Sequence, residues 1–439
     1  MKVYNTLTRK NEEINQTKFN IYACGPTVYN YIHLGNARAL INADLLVNVL
    51  EFQQYEVNYI QNYTDIDDKI INKALAENKT EAEISAFYID AFEKDVTALN
   101  IRKPNKMLAI SNYIDDIIAF IADLMARGAA YESNGNVYFA IDQFLLEYGK
   151  LGNKTIAELN PGERVEADSN KRNVNDFTLW KKTIVGILFD SPWGQGRPGW
   201  HTECALLIDK FFSHQTIDFH LGGIDLVFPH HENERIQYLA KNNCEITKIW
   251  LHNGHLNLEE QKMSKSLGNT ILVRDFIAKY DPATLRYLFY STNFSQPLNV
   301  TQTVIAFAQK ETAKIFNILK TINLFLATND LKCDLSIKGE FVGKALEQLN
   351  NNLNTPNVLS IINDMIKIIN QQLRNNKIDL TIVGDFYNII FNLLNFSFTL
   401  PVITPEIKGL IQEWQHAKAV QDFVKADKIR TQLVEKNIL

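Results

Sequence analysis

The hydrophobic pattern in the first part of the chain changes period twice. Residues 19–23 (FNIYA) and 57–62 (VNYIQN) are short apolar runs, and the first of them ends in a Cys-Gly-Pro turn. Between them, over about 35–52, apolar side chains recur every three or four residues, which predicts a helix. Strand, helix and strand at this spacing predict a βαβ unit, in which ligands bind at the carboxyl ends of parallel strands.

The rest of the pattern predicts an insertion and a helical C-terminal part. Helical periodicity covers about 80–130, and it returns from about 300 to the end, where it predicts a helical bundle. Residues 131–182 contain a hairpin-like stretch and a polar region, which we interpret as an insertion. Strand patterns return at 187–190, 216–223 and 249–256. We therefore expect an α/β fold with a split parallel sheet, followed by an all-α bundle.

Composition narrows the class of protein. A length of 439 residues predicts two to four domains, and 46% hydrophobic with 22% charged residues excludes wholesale disorder. The net charge of −5 gives no support to nucleic-acid binding, although a local basic face remains compatible with it. The four cysteines are sparse, the start has no signal-peptide pattern, and no apolar run is long enough to span a membrane. We expect a cytoplasmic protein without a membrane segment.

Most histidines and two of the four cysteines lie in one segment of the chain, which suggests a metal or catalytic centre. Seven of the nine histidines lie between residues 201 and 255. FPHHENE places His230 and Glu234 four residues apart, GWHTEC supplies Cys204, and Cys24 follows the first strand. Two thiolates, an imidazole and a carboxylate can hold zinc tetrahedrally. Without a CxxC pair, spacing leaves it equally open that Cys24 is only a buried thiol at a strand end. The absence of HExxH argues against a metalloprotease.

Two further segments have groups suited to phosphate. His33, Gly35 and Asn36 stand at the predicted start of a helix, where free N–H groups attract anions. Lys262 and Lys265 lie in KMSKS, after the last predicted strand, and two ammonium groups there could neutralise phosphate charge. Taken singly, the first motif is more often a structural histidine near a helix start, and the second is more typical of a solvated basic loop.

The motifs together are much more specific. In this order they resemble class I aminoacyl-tRNA synthetases, whose signatures are HIGH and KMSKS, and within that class the cysteinyl-tRNA synthetase family. The resemblance covers residues 22–269 with specific motifs, and one departure is Asn36 at the fourth position of HIGH. The segments that carry it are YACGPTVYNYIHLGNAR, NYTDIDDKI, RPGWHTEC, HLGGIDLVFPHHENE and KMSKSLGN.

The resemblance implies a role for each motif. One zinc ion that binds the substrate thiol is implied at Cys24, Cys204, His230 and Glu234. Thr64 and Trp200 are implied around the substrate amino acid. Catalytic contacts to the ATP phosphates are implied for His33, Asn36, Lys262 and Lys265. Contacts to the adenosine are implied for Gly222, Gly223 and Asp225.

The resemblance also implies domains and partners. We expect a Rossmann-like catalytic domain in two halves, a connective insertion, a KMSKS and stem-contact region, and a helical anticodon-binding domain. Their expected ranges are 1–110 and 186–260 for the halves, 111–185 for the insertion, 261–300, and 301–439. The expected partners are tRNA(Cys), L-cysteine and ATP with Mg²⁺, and we expect a monomer. A cysteine ligase of the mycothiol pathway, a zinc hydrolase and a non-catalytic RNA-binding relative stay open as alternatives, although the long helical bundle favours tRNA.

Overall fold

The computed structural model describes most of the chain. The described residues are 1–155, 158, 169–259, 261–263, 268–436 and 438. Lys265 of KMSKS and part of the predicted insertion lie outside them, as does the side chain of Lys262. Within the described ranges, no helix has the length and apolar character needed to cross a membrane.

Strands and helices alternate in the first part of the chain, and helices fill the second. The strands are β1 Lys2–Asn5, β2 Lys10–Glu13, β3 Lys18–Ala23, β4 Glu56–Tyr63, β5 Lys106–Ala109, β6 Ala130–Ser133, β7 Asn136–Phe139, β8 Phe177–Lys182, β9 Gly196–Pro198, β10 Ile217–Gly223, β11 Thr247–Asn253, β12 Leu256–Leu258, β13 Gln261–Lys262 and β14 Leu298–Val300. The helices are α1 Leu34–Phe52, α2 Asp68–Glu77, α3 Glu81–Ala98, α4 Ile114–Ala126, α5 Trp200–Phe211, α6 Glu232–Asn242, α7 Val273–Ile277, α8 Pro282–Tyr290, α9 Gln302–Thr328, α10 Glu340–Asn350, α11 Thr355–Arg374, α12 Leu380–Tyr387, α13 Pro405–Ala419 and α14 Phe423–Glu435.

A five-stranded parallel sheet organises the first part. Its strand order is β11-β10-β3-β4-β5, and every neighbouring pair is parallel. Apolar residues such as Ile21, Phe219 and Leu221 are buried in it, because helices cover a parallel sheet on both faces. Helix α1 returns the chain from β3 to β4, as the apolar periodicity predicted. The α/β class with a parallel sheet and a helical C-terminal part is confirmed.

Between β5 and β10, the chain forms a second, antiparallel sheet of order β6-β7-β8-β9. The prediction that residues 187–190 form a strand of the parallel sheet is wrong. Only Phe189 there makes a β contact, an isolated bridge to Gly196, and Ile187 is 40% exposed. The strand that pairs instead is β8, an inner strand between β7 and β9, which lies in the region interpreted as polar.

The continuous helical interpretation of about 80–130 also needs a correction. Helices α3 and α4 occupy most of it, but β5 lies between them as the edge strand of the parallel sheet, paired with β4. Four residues are too short a run for periodicity to distinguish from a helix end. The predicted strand over 249–256 is in fact two strands, β11 and β12.

The chain divides into two compact units. The first consists of Met1–Phe276, Phe294–Asn299 and Asn350–Leu353, and it contains both large sheets. The second consists of Ile277–Asn293, Val300–Leu349 and Asn354–Leu439, and it is built from helices α8 to α14. The predicted stripe on α9 is buried inside this helical unit, including Ile315, Ile318 and Ile322.

Candidate active site

A cavity of about 380 Å³ opens at the carboxyl ends of the parallel strands. Its walls come from the end of β3, the first turn of α1, the end of β10 and the segment after β11. Most of the predicted site residues line it, namely Cys24, His33, Asn36, Trp200, Gly222, Gly223 and Asp225. The cavity lies entirely within the first unit, where the topology of a parallel sheet predicts ligand binding.

Two thiols meet at one end of this cavity. Cys24 directly follows β3, and its N–H donates to the carbonyl of Leu221 on the neighbouring β10. Cys204 is buried on helix α5. Their sulfur atoms are 3.6 Å apart, although 180 positions separate them in sequence. No disulfide joins them, and both are free thiols.

His230 and Glu234 complete the cluster. Glu234 lies in the first turn of α6, and His230 lies in the turn that leads into this helix. His230 Nε2 and Glu234 Oε1 are 2.8 Å apart, so the predicted spacing of four does bring the two groups together. His230 Nε2 is 3.6 Å from the sulfur of Cys24, and Glu234 Oε1 is 3.5 Å from it.

The distances that involve the two sulfur atoms are close to the edges of a zinc tetrahedron, whereas His230 Nε2 and Glu234 Oε1 lie closer together, at 2.8 Å. Zinc bonds of about 2.0–2.3 Å give ligand–ligand distances of about 3.3–3.8 Å. The sulfur–sulfur and sulfur–nitrogen distances, 3.6 to 3.9 Å, fall in or next to this range. All four ligand atoms lie within 4.8 Å of one another. The donor set of two sulfurs, one nitrogen and one oxygen therefore fits a zinc ion.

A second layer of histidines surrounds these four residues. His220 Nε2 is 2.7 Å from the second oxygen of Glu234, and His201 Nδ1 is 3.0 Å from Nδ1 of His230. Contacts of this kind orient metal ligands, because they fix which atom is free to coordinate. His231 also approaches Cys24, with 3.3 Å between Nε2 and the sulfur, and its Nδ1 lies 2.7 Å from His252. Motif reasoning assigned no role to these residues, although the density of histidines after residue 201 pointed to them.

Electrostatics in the cluster follow from burial and from the facing charges. Burial alone would raise the pKa of Glu234, but the facing histidines His230 and His220 hold it well below its usual range. Burial alone would lower the pKa of His230, but Glu234 and Cys204 raise it to about 10. Burial raises the pKa of Cys24, and the adjacent Cys204 raises it further. The Glu234 carboxylate is thus charged at neutral pH, as a metal ligand must be.

The first turn of α1 forms the opposite wall of the cavity. His33 caps this helix: its Nδ1 accepts from the N–H of Asn36, and Oδ1 of Asn36 accepts from the N–H of His33. Asn36 suits this reciprocal cap because its amide oxygen is an acceptor. No acidic residue lies in the first turn, so the positive end of the helix dipole faces the cavity uncompensated.

The remaining predicted residues are placed differently. Trp200 is 37% exposed and stacks on His230 with ring centroids 4.0 Å apart. Thr64 is buried and donates to Glu203, and it is not among the described residues that line the cavity. The backbone of Lys262 pairs with Asn257. Lys265 lies outside the described residues, so its position relative to the cavity stays a prediction.

Comparison with known proteins identifies the family. The family model for the "tRNA synthetases class I (C) catalytic domain" matches residues 10–310. The chain is 47% identical over 441 residues to the "Cysteine--tRNA ligase" of Mycoplasma mycoides subsp. mycoides, with 100% of both chains covered. It is 39% identical over 455 residues to the enzyme of that name from Staphylococcus saprophyticus, covering 100% of this chain and 97% of the relative. Methionyl-tRNA synthetase from Mycobacterium tuberculosis, solved bound by methionyl-adenylate, shares the fold with a TM-score of 0.63 at 13% identity, covering 90% of this chain and 94% of that one. The chain therefore belongs to the cysteine–tRNA ligase family of class I tRNA synthetases.

Proposed function

We propose that this enzyme activates L-cysteine with ATP and transfers the cysteinyl group to the 3′ end of tRNA(Cys). The observation that carries the proposal is the cluster of Cys24, Cys204, His230 and Glu234 at one end of a cavity whose other wall is the N-terminus of α1. An amino acid bound with its side chain at the cluster would direct its carboxylate toward that helix. Membership in the family supports the choice of substrate.

The cluster is suited to recognise sulfur. We propose that Cys24, Cys204, His230 and Glu234 hold one zinc ion. When bound, this ion would act as a Lewis acid that prefers a thiolate ligand. His220 would keep Glu234 in place through its second oxygen, 2.7 Å away. Trp200, stacked on His230 and partly exposed to the cavity, would cover the bound side chain and exclude water. A binding pocket based on size alone separates cysteine from serine poorly, so a sulfur-selective donor set removes the need for editing.

The N-terminus of α1 would bind the ATP phosphates. In the first step, a carboxylate oxygen of cysteine attacks the α-phosphorus, the bond to the β-phosphate oxygen breaks, and pyrophosphate leaves with Mg²⁺. The helix dipole and the groups of His33 and Asn36 favour anions at this position. Lys262 and Lys265 would stabilise the charge from the opposite side. Gly222 and Gly223 leave room for the adenosine, and the carboxylate of Asp225 would accept from the ribose hydroxyls.

In the second step, a ribose hydroxyl of the terminal tRNA nucleotide attacks the carbonyl carbon of the adenylate. The hydroxyl proton is lost, AMP leaves, and an ester bond to tRNA forms. Both steps depend on positioning and charge stabilisation, and neither needs a covalent enzyme nucleophile. We propose that the helical unit contacts tRNA, because the relatives that match the whole chain carry the name cysteine–tRNA ligase. Thr64 would act on the substrate only indirectly, through the buried Glu203.

Pyrophosphate exchange and aminoacylation test the proposal. Zinc-loaded enzyme should exchange pyrophosphate into ATP only when cysteine is present, with serine at least about 100-fold less effective. It should then esterify a tRNA(Cys) transcript. Equal rates with serine would contradict the role of the cluster. Exchange followed by transfer to an amino sugar but not to tRNA would favour the mycothiol-type ligase, and no exchange at all would favour a non-catalytic protein.

The oligomeric state and the cellular location complete the proposal. We propose a monomer in the cytoplasm, where free thiols such as Cys24 and Cys204 stay reduced. Sedimentation of the purified chain, with and without tRNA, measures the oligomeric state. A dimer in the absence of tRNA would contradict this part of the proposal and leave the catalytic part unchanged.

A further inference from the structure

Arg38 joins the first turns of α1 to a distant part of the catalytic unit. The residue is fully buried in α1, five positions after His33 and two after Asn36. Its Nη1 donates to the carbonyls of Gly254 and His255, at 2.9 and 3.2 Å. Its Nη2 donates to the carbonyl of Gln296 at 2.7 Å. One guanidinium thus holds the main chains of two segments that are about forty residues apart in sequence.

These segments are packed tightly where Arg38 meets them. A Cβ atom on Gly254 would lie 2.4 Å from the carbonyl of Gln296, which leaves no room for a side chain. The N–H of Gly254 donates to Phe294, and the N–H of Leu298 donates to His255. The contact of Arg38 therefore fixes the chain immediately before β12.

From this point the backbone leads directly into KMSKS. Strand β12 begins at Leu256, and its carbonyl accepts from the N–H of Met263 at 2.9 Å. Asn257 pairs with Lys262 in antiparallel register. The backbone of Lys262, the first lysine of KMSKS, is thus paired with Asn257, which lies two residues after the anchored His255.

The other end of the same segment is also attached to α1. The N–H of Leu34 donates to the carbonyl of Ile271, and the N–H of Val273 donates to Ile32, both at 3.0 Å. Leu34 opens the helix, so its first turn contacts the chain after KMSKS, while Arg38 contacts the chain before it. Both ends of residues 256–271 are therefore fastened to one helical terminus.

We propose that Arg38 is a positioning residue for amino-acid activation, which holds the start of the KMSKS segment at a fixed place relative to His33 and Asn36. The inference rests on the proposed function. The two phosphate-binding elements must face each other across ATP, and an error of about 1 Å in such placement can cost about 100-fold in rate. Arg38 acts through the main-chain carbonyls of Gly254, His255 and Gln296 and not on a reacting atom.

The chemistry of the contact explains why the residue is arginine. Three carbonyls at different angles need several donors in a rigid plane, which a guanidinium provides. A lysine ammonium keeps the charge but is a point donor on a flexible stem. The substitution Arg38→Lys is therefore a test of geometry with the charge retained, and Arg38→Met removes both.

The test separates activation from transfer. In Arg38→Lys, kcat for cysteine-dependent pyrophosphate exchange should fall at least tenfold, with KM for cysteine within twofold of wild type. The single-turnover rate of transfer from enzyme-bound cysteinyl-adenylate to tRNA should stay within threefold of wild type, because pyrophosphate has already left before this step. Arg38→Met should lower exchange further. Arg286→Lys is the matched control: it alters a buried arginine of the helical unit that also donates to a main-chain carbonyl, and exchange should be unchanged.

Three outcomes would overturn the inference. Exchange at the wild-type rate in Arg38→Lys would remove the positioning role. An equal loss in exchange and transfer would mean that the whole site is disturbed, and so would loss of zinc or of the folded circular dichroism signal in Arg38→Lys. If wild-type enzyme shows no cysteine-dependent exchange, the proposed function itself fails, and this result is distinct from all three.

Discussion

At the scale of single residues, the site depends on thiol, imidazole and carboxylate groups that are largely buried and lie in contact with one another. Cys204 illustrates this point, because its sulfur lies 3.6 Å from Cys24 and 3.9 Å from His230 with no exposure to solvent. A buried cluster of acceptors and thiols without a cation is electrostatically unfavourable. Substitutions here should therefore act first on metal content and then on catalysis.

Cys204→Ala should abolish stoichiometric zinc binding and cysteine activation. Loss of an outer partner of a ligand already costs about 10–100-fold in metal affinity, so loss of a ligand should cost more. Metal analysis of the purified variant and pyrophosphate exchange measure the two effects. Cys244→Ala, a half-buried thiol outside the cluster, should keep one zinc per chain and full exchange. One zinc per chain in Cys204→Ala would remove this residue from the ligand set.

Buried histidines should make stability depend on acid. Burial, with a smaller contribution from His220, lowers the pKa of His252 to about 3. The folded chain then binds fewer protons than the unfolded chain, whose histidine pKa is about 6.5, so stability falls as the pH drops through 6.5 toward 3. Unfolding by urea should give about 2 kcal/mol less stability at pH 5 than at pH 7 from this residue alone. In His252→Gln the difference between the two pH values should shrink by that amount, and an unchanged difference would contradict the assignment.

At the scale of elements, the close approach of β3 and β4 fixes the strand end that is followed by Cys24. Gly25 follows Cys24, and its N–H donates to Asn62 Oδ1 at 2.9 Å. A Cβ atom on Gly25 would lie 1.5 Å from the carbonyl oxygen of Asn62, far inside any real contact. The end of β3 must therefore shift if any side chain is added here.

Gly25→Ala should lower zinc affinity and pyrophosphate exchange at least tenfold, because Cys24 moves with the end of its strand. Gly343→Ala in α10 is the matched control, since among the described residues only neighbouring backbone of its own helix lies within 4 Å of its Cβ position. This control should retain exchange and stabilise the helical unit by about 0.5–1 kcal/mol. Zinc titration, exchange and thermal unfolding distinguish the two variants. Wild-type zinc affinity in Gly25→Ala would show that the strand end is more adaptable than the packing indicates.

The elements also show what the sequence could predict. Strand β3 and helix α1 were predicted closely, because the apolar run of β3 ends in a Cys-Gly-Pro turn and the apolar period of α1 is long. The prediction of a strand at residues 187–190 was wrong, because a short apolar run can also lie exposed in a loop. The neighbours of the cluster could not be derived either. His220 and His252 are 32 residues apart, and both approach His231 because β10 and β11 are adjacent; strand order is a property of the whole sheet.

At the scale of the whole molecule, the proposed zinc site lies in only one of the two units. Cys24, Cys204, His230 and Glu234 all lie in the first unit, and the second contains none of them. An ion bound only by the folded form stabilises that form in proportion to the logarithm of its concentration.

Removal of zinc with a chelator should therefore lower the melting temperature of the first unit only. Each kcal/mol lost corresponds to about 2–4 °C in a unit of this size. Differential scanning calorimetry should show one transition that moves and one, from the helical unit, that does not. Cys204→Ala should melt at the lower temperature already and respond little to the chelator. Parallel shifts of both transitions would contradict a stabilising effect confined to one unit.

The long separation between Cys24 and Glu234, 210 positions along the chain, has a consequence for biosynthesis. A nascent polypeptide carries the first thiol almost at once, but the last donor leaves the ribosome only when more than half of the protein has been made. The ion cannot template early folding, because contacts between such remote residues form late. Insertion of the proposed zinc ion is thus expected late in the maturation of the catalytic half, after the segment that carries Glu234 has been made.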